Sequence, residues 1–436
     1  MIRPATPTLA LLLLLCAGGT GAASADETYS FDLSETEKKP YHVGGYVEAR
    51  PLSMRRDPDA AFQKLRLLDG GEEGWTSEWN GRLQLEASVE RGPARLFVRP
   101  NVEYETSRQG DDLEANLFEA YLSVKPSPSF TTEAGKKSLR WGKGYAWNPV
   151  AFLDRPKNPE DPELSLEGFT VLSADYIRCF SDPFQTVSFT PVLLPVFEGV
   201  NEEFGDPGHW NLGGKLYALF RDTDLDLLFL TGGSRTTRYG VDFSRNFGTN
   251  FEVHGEFAYV PSLSRPVVDR QGRISRAEHA AKSYLLGVRY LTELETTYIV
   301  EYYYNGTGFR PAEMKAFFAL VDEGAAAFEG TADRSILQKA ASLAEGGYGR
   351  PNAMRNYLYA RVSQKEPFDV LYFTPAVTAI ANLDDRSFSL SPEFLYTGIT
   401  NLELRLKGTL LHGERGSEYG EKQNDAVLEL RARLYF

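Results

Sequence analysis

The chain has 436 residues and a formal net charge of −13, from 60 acidic and 47 basic side chains. That acidity argues against a nucleic-acid partner. Aromatic residues make up 13%, and beyond the extreme N-terminus no run of about 18 apolar residues offers a membrane-spanning helix.

The first segment sets the compartment. Arg3 supplies a positive start, Leu9 to Cys16 a short apolar core, and Ala23-Ser24-Ala25 an A-x-A cleavage site. Residues 1–25 therefore read as a secretory signal peptide, cleaved near Ala25. The competing reading is a lipobox at Leu13-Leu14-Leu15-Cys16, but bulky Leu15 stands where a small residue is expected. Cleavage removes one base and no acid, and it leaves Cys179 as the sole cysteine. Intrachain disulfides and cysteine metal sites are thereby excluded. Residues 26–40 form a polar tail with a charge run from Glu35 to Lys39, too short for a plug domain.

From Thr76 onward the chain alternates at period 2. Trp79, Gly81, Leu83, Leu85, Ala87 and Val89 share one face, opposite Asn80, Arg82, Gln84, Glu86, Ser88 and Glu90. Phe251, Val253, Phe257 and Tyr259 likewise oppose Glu252, His254 and Glu256, and the last strand sets Leu428, Leu430, Ala432, Leu434 and Phe436 against Glu429, Arg431, Arg433 and Tyr435. Strands are expected at 41–49, 76–90, 94–105, 114–125, 130–140, 168–180, 184–197, 210–221 and 223–232. Nine more are expected at 237–247, 249–260, 282–292, 295–304, 355–365, 368–381, 386–396, 399–412 and 424–436, which makes eighteen. A sandwich also alternates, so the connections decide between the two. The odd-numbered ones are mostly long (50–75, 106–113, 141–167, 198–209, 261–281, 305–354, 413–423), with short exceptions near Gly233 and Asp384. The even-numbered ones are tight, as at Arg91-Gly92-Pro93, Ser181-Asp182-Pro183 and Thr397-Gly398. Loops sorted by parity predict an all-β chain, a single transmembrane antiparallel barrel of 16–18 strands over residues 41–436. Aromatics such as Phe130, Phe180, Phe184, Phe220, Phe247, Phe251, Phe368 and Tyr396 cluster at the tight turns, as an interfacial girdle requires.

Two long connections stand apart. In 305–354, Met314, Phe317, Phe318, Val321, Ala325 and Phe328 recur at helical spacing, followed by Ile336, Leu337, Ala340 and Leu343. This predicts a helical pair, favoured as a cap over the mouth rather than a gate inside the lumen. The connection 141–167 is stiffened by Pro149, Pro156, Pro159 and Pro162. It is the candidate for folding inward as a constriction, with Trp141, Lys143, Trp147 and Arg155 as its candidate residues.

A signal peptide, about eighteen alternating strands and a last strand ending in Phe436 together resemble the outer-membrane β-barrel (porin-like) superfamily of Gram-negative bacteria. Gly142 to Pro149 also resembles WG…NP segments of such barrels. The resemblance implies a chain embedded in outer-membrane lipid, a periplasmic N-terminal tail, an extracellular 305–354 loop and a homotrimer. It also implies that Phe436 is a signal for the barrel-assembly machinery. The implied function is a channel for passive diffusion of small polar solutes. The alternatives are a lidded channel for hydrophobic or aromatic compounds, and a non-transporting sheath or scaffold for a periplasmic or multihaem cytochrome partner. No C-x-x-C-H, G-x-S-x-G or metal-spaced histidines occur, so no enzyme activity, cofactor or metal is expected.

If the polar phase faces inward, the lumen has two walls of unlike sign. Arg82, Arg95, Arg99, Arg405, Lys407, Arg431 and Arg433 line one arc. Asp224, Asp226, Asp242, Glu252, Glu256 and Glu301 lie nearly opposite. Glu86, Glu103, Glu403 and Glu429 interrupt the basic arc, so cross-strand ion pairs are the rival arrangement.

Overall fold

A computed structural model describes residues 39–66, 74–107 and 110–436. The signal peptide and nearly all of the polar tail lie outside the described residues. The strands are β1 (Tyr41–Arg56), β2 (Gly74–Arg91), β3 (Ala94–Ser107), β4 (Gly110–Ser127), β5 (Phe130–Lys137), β6 (Phe169–Cys179), β7 (Phe184–Val196), β8 (His209–Phe220) and β9 (Thr223–Thr231). They continue as β10 (Arg238–Phe247), β11 (Phe251–Val268), β12 (Ile274–Leu291), β13 (Thr296–Tyr304), β14 (Asn356–Gln364), β15 (Phe373–Asn382), β16 (Ser387–Ile399), β17 (Leu402–His412) and β18 (Asn424–Tyr435). Each pairs antiparallel with its sequence neighbours, and β1 pairs with β18, so the eighteen-stranded sheet closes without an edge.

The polarity is inverted relative to a soluble protein. Val47, Leu96, Leu122, Leu286 and Leu430 are exposed, whereas Glu48, Asn101, Glu119, Glu301 and Arg431 are buried. Apolar side chains on the outer face and polar ones inside suit a barrel whose outer solvent is hydrocarbon, with every ladder hydrogen bond made internally. Phe180, Phe184, Phe247, Phe368 and Tyr396 are exposed at the short-turn end, where the aromatic girdle was expected. The β8–β9 turn is the tightest kind, with Arg221 and Asp222 both at positive φ.

Three connections expected to be long loops are shorter than the pattern suggests. β1 continues to Arg56, β3 and β4 continue to Ser107 and from Gly110, and β11 and β12 flank residues 269–273 only. These extensions keep the ladder but lose the alternation, with pairs such as Glu105↔Asp112 and Ser264↔Glu278. Polar residues on both faces are what a strand needs once it leaves the apolar belt. In the other direction, β15 begins at Phe373, because a 3-10 turn at Pro367–Asp369 lengthens its connection.

Between β1 and β2 lies a short helix α1 (Ala61–Lys64), and between β13 and β14 lie α2 (Pro311–Thr331) and α3 (Ser335–Leu343). The apolar stripe of α2 and α3 is buried: Phe317, Val321, Leu337 and Ala340 are inaccessible, as is Tyr348 just beyond α3. The pair is tied to the ends of the long connections. Arg265 bonds Glu313 at 2.9 Å, Lys64 bonds Asp322 at 2.6 Å, and Lys339 donates to the Gly272 carbonyl at 3.0 Å. The helices are thus held to the long-connection end of the barrel.

Candidate functional site

The connection between β5 and β6, residues 138–168, runs through the barrel. Its turn at 143–150 presents backbone N–H groups to two buried carboxylates. Glu256, on β11, accepts from Lys143 N and Gly144 N at 2.6 Å each, from Val150 N at 3.2 Å and from Asn148 Nδ2 at 3.2 Å. Glu301, on β13, accepts from Ala146 N at 2.8 Å and from Tyr145 N. A buried carboxylate is costly unless its lone pairs are filled, and converging amide donors fill them. Lys143 Nζ reaches Asp226 at 3.1 Å, and Asp242 pairs in register with both Asp226 and Glu256. His254 Nε2 lies 2.8 Å from Glu301 Oε1. Gly287 separates them on β12, where a Cβ would fall 2.1 Å from His254 Nε2, so only glycine leaves the path open.

The connection then crosses to the other wall. Glu160 accepts from Ser389 Oγ at 2.6 Å and Ser391 Oγ at 2.9 Å, and its carbonyl accepts from Lys407 Nζ at 2.6 Å. Asp161 pairs with Arg431 at 2.9 Å and with Arg405 at 3.6 Å. Burial alone would raise the Asp161 carboxyl, but Arg431 and Arg405 hold it below the usual range. Lys157, whose ammonium donates to the Gly144 carbonyl at 2.7 Å, is lowered by burial despite the pull of Glu256 and Glu301. The connection is a strut with donors at one end and carboxylates at the other, between strands β9–β13 and β16–β18.

The other expected pore-lining bases are neutralised locally. Arg82 pairs with Glu103 at 2.8 Å, Arg99 with Glu86 at 2.8 Å and Glu119 at 2.6 Å, and Arg433 with Glu48 at 2.6 Å. Arg95 lies 3.7 Å from Glu90 at the short-turn end. Among the acids, Asp224 accepts from Tyr217 Oη at 2.6 Å, and Glu252 lies 3.5 Å from His254 Nδ1.

The candidate constriction residues divide by role. Trp147 stacks on Tyr303, touches Tyr357 and Tyr359, and donates Nε1 to Asn352, joining the core beneath the helices. Trp141 is buried in a second apolar cluster with Val150, Phe152 and Leu153. Arg155 pairs with Glu167 at 2.9 Å and with Glu203. Trp141 also borders two cavities, one of about 530 Å³ against β5–β8 and one of about 710 Å³ toward Arg235, Arg238 and Arg350.

Glu160 and Asp161 are not among the candidate residues that the sequence singles out. Their signal is present, since an acid pair in a proline-stiffened connection matches the basic faces of β17 and β18. The roles of Glu256 and Glu301 as amide acceptors carry no sequence signature.

Neither a family model nor a curated protein matches the sequence. Solved structures do. Pseudomonas aeruginosa OccK5 (OpdH) superposes with a TM-score of 0.52 at 11% identity, over 90% of this chain and 98% of that one. Acinetobacter baumannii OccAB1 gives 0.53 at 8% identity, over 91% and 97%. Escherichia coli Wzi, an outer-membrane protein of capsule assembly described as a carbohydrate-binding β-barrel, gives 0.51 at 10% identity, over 90% and 84%. Closed strand order, inverted polarity and these likenesses agree, and the chain has the fold of the Gram-negative outer-membrane β-barrels, in an eighteen-stranded form.

Proposed function

We propose that the protein is an outer-membrane channel for passive diffusion of small polar solutes, with residues 138–168 as its constriction. The observation that carries this reading is the strut. An eighteen-stranded barrel encloses more space than its wall side chains fill, and here that space is narrowed by one polar connection docked at both ends. The cavities on either side of Trp141 are the remaining volume through which a solute would pass. The long connections and the helices would face outward and the short turns the periplasm. Phe436, exposed at the end of β18, would be read by the barrel-assembly machinery.

Single-channel recording in planar bilayers tests the reading. The intact chain should conduct in small steps. Replacing residues 142–163 by a short Gly-Ser linker should raise the step several-fold while the barrel stays folded. A folded, trimmed barrel that conducts no more than the intact one would sink the proposal.

A further inference from the structure

The larger cavity, of about 710 Å³, has a charge at odds with the chain. Six of its lining side chains are cationic and two are acidic, in a protein of net charge −13. Three of the cations are engaged, and a fourth, Arg140, is exposed. Arg155 holds Glu167 and Glu203, Lys157 donates to carbonyls of the strut, and Arg235 lies over the Phe204 ring and donates to the Phe204 carbonyl. The acids are partly engaged as well. Asp154 accepts from the backbone N–H groups of Leu139, Arg140 and Trp141, and Glu163 accepts from Tyr145 Oη at 3.4 Å.

Arg238 and Arg350 are different. Among the described residues neither guanidinium has an ion pair or a hydrogen-bonded acceptor, and Nε of Arg238 is buried with no partner. Their charge is felt nearby, because Arg235 is pushed down to about 10, by burial first and then by Arg238, Arg350 and Arg155. Arg238 is half-buried, and a cation held there without counter-charge is costly; Arg350 is exposed at the cavity's rim, and an anion of matching geometry between the two recovers that cost. The opposite character is also present. β11 turns apolar on its inner face at Ala258 and Val260, and these line the cavity with Phe152 and Tyr303. An inorganic ion would leave that surface unused.

We propose that this cavity binds a small organic anion, its phosphate or carboxylate held by Arg238 and Arg350 and its apolar body against Val260 and Tyr303. This rests on the channel reading and deepens it, by naming the chemical class of solute the vestibule collects.

Titration calorimetry on the full chain folded in detergent tests the site, with phenyl phosphate, phenylacetate, inorganic phosphate and benzyl alcohol as probes. Phenyl phosphate or phenylacetate should bind, and the ratio of the two affinities assigns the head group. Inorganic phosphate should bind more weakly and benzyl alcohol not measurably. Arg238→Gln with Arg350→Gln should weaken binding about tenfold or more, and Arg276→Gln, exposed on β12, should not. If the double variant loses its heat-modifiable band, Arg350→Gln alone serves, since Arg350 lies in a connection. No binding of either aromatic anion, or unchanged binding in a folded Arg350→Gln variant, overturns the proposal. Benzyl alcohol binding as tightly overturns the anionic half, and inorganic phosphate binding as tightly overturns the apolar half. Calorimetry needs no conduction, so a silent bilayer leaves this site standing, and absent binding leaves the channel standing.

Discussion

Leu430 and Arg431 are chain neighbours on β18 that meet opposite surroundings, the first 47% exposed on the outer face and the second 5% exposed inside. Placing Arg at Leu430 should cost the barrel roughly 2–4 kcal/mol if the site lies near the bilayer midplane, read as loss of the heat-modifiable band. Arg431→Ser should leave that band intact, because Arg431 faces Arg405 directly across the ladder and like charges opposed there do not help the sheet. Its loss should instead loosen the strut, since Asp161 is what both arginines share. Protease accessibility of residues 155–165 should rise several-fold, and equal damage to the barrel by both substitutions would contradict the assignment of faces. The same carboxylate gives a pH dependence. Arg431 and Arg405 outweigh burial and depress Asp161, so its ionisation favours the docked strut. That contribution is complete above the ordinary aspartate value and fades as pH falls through the lower docked value. Conductance steps should therefore be constant from neutral pH down to the usual carboxylate range and enlarge only below it. Which residues face inward is legible in the sequence, because period 2 leaves no choice once one face is apolar. Which inward residues remain unpaired is not, since Arg99 and Arg238 look alike until the register of the neighbouring strands sets Glu86 and Glu119 beside the first.

At the scale of elements, the helical pair was legible. The spacing of Phe317, Val321 and Leu337 predicts one buried stripe, and that stripe closes a core with Phe309, Tyr348 and Tyr357 over the barrel end. Phe317→Ala removes an inaccessible ring and should cost about 3–5 kcal/mol. The loss should be confined to the cap. Proteolysis within 311–343 should accelerate while the barrel band is unchanged, and a variant whose whole barrel loses heat-modifiability would show that the helices are part of the barrel's own stability. Strand ends were less legible than strands. β11 runs eight residues beyond Val260, to Val268, past a register shift at Pro261 and Ser262, where neither face needs apolar residues and the alternation stops. The connection was readable as stiff and long, but one end of it docks through main-chain N–H groups that every residue type except proline carries alike.

With no disulfide among the described residues, closure is the stabilising device, because β1 pairing with β18 leaves no edge unsatisfied. Phe436 sits at that seam, its carbonyl accepting from Gly45 N at 3.1 Å and its N–H donating to the Gly45 carbonyl at 3.1 Å. Phe436→Ser keeps those backbone bonds, so any fall in folded protein reports recognition of the ring during assembly. The expected result is a several-fold lower outer-membrane level with export across the inner membrane unchanged. Normal levels would remove the assembly role proposed for it. The seam and the strut use the main chain in the same way, and for the strut this has a consequence for how the protein can change. Within the turn Glu256 and Glu301 grip main-chain amide hydrogens, with Asn148 the one side chain they hold, so the half-buried Lys143 and Tyr145 can change without losing those bonds. Gly144 is held, since a Cβ there would lie 1.9 Å from the Trp147 carbonyl oxygen. A lineage could therefore retune what the passage admits by exchanging the side chains on a fixed backbone hook, and an engineer could graft new ones there while leaving the barrel untouched.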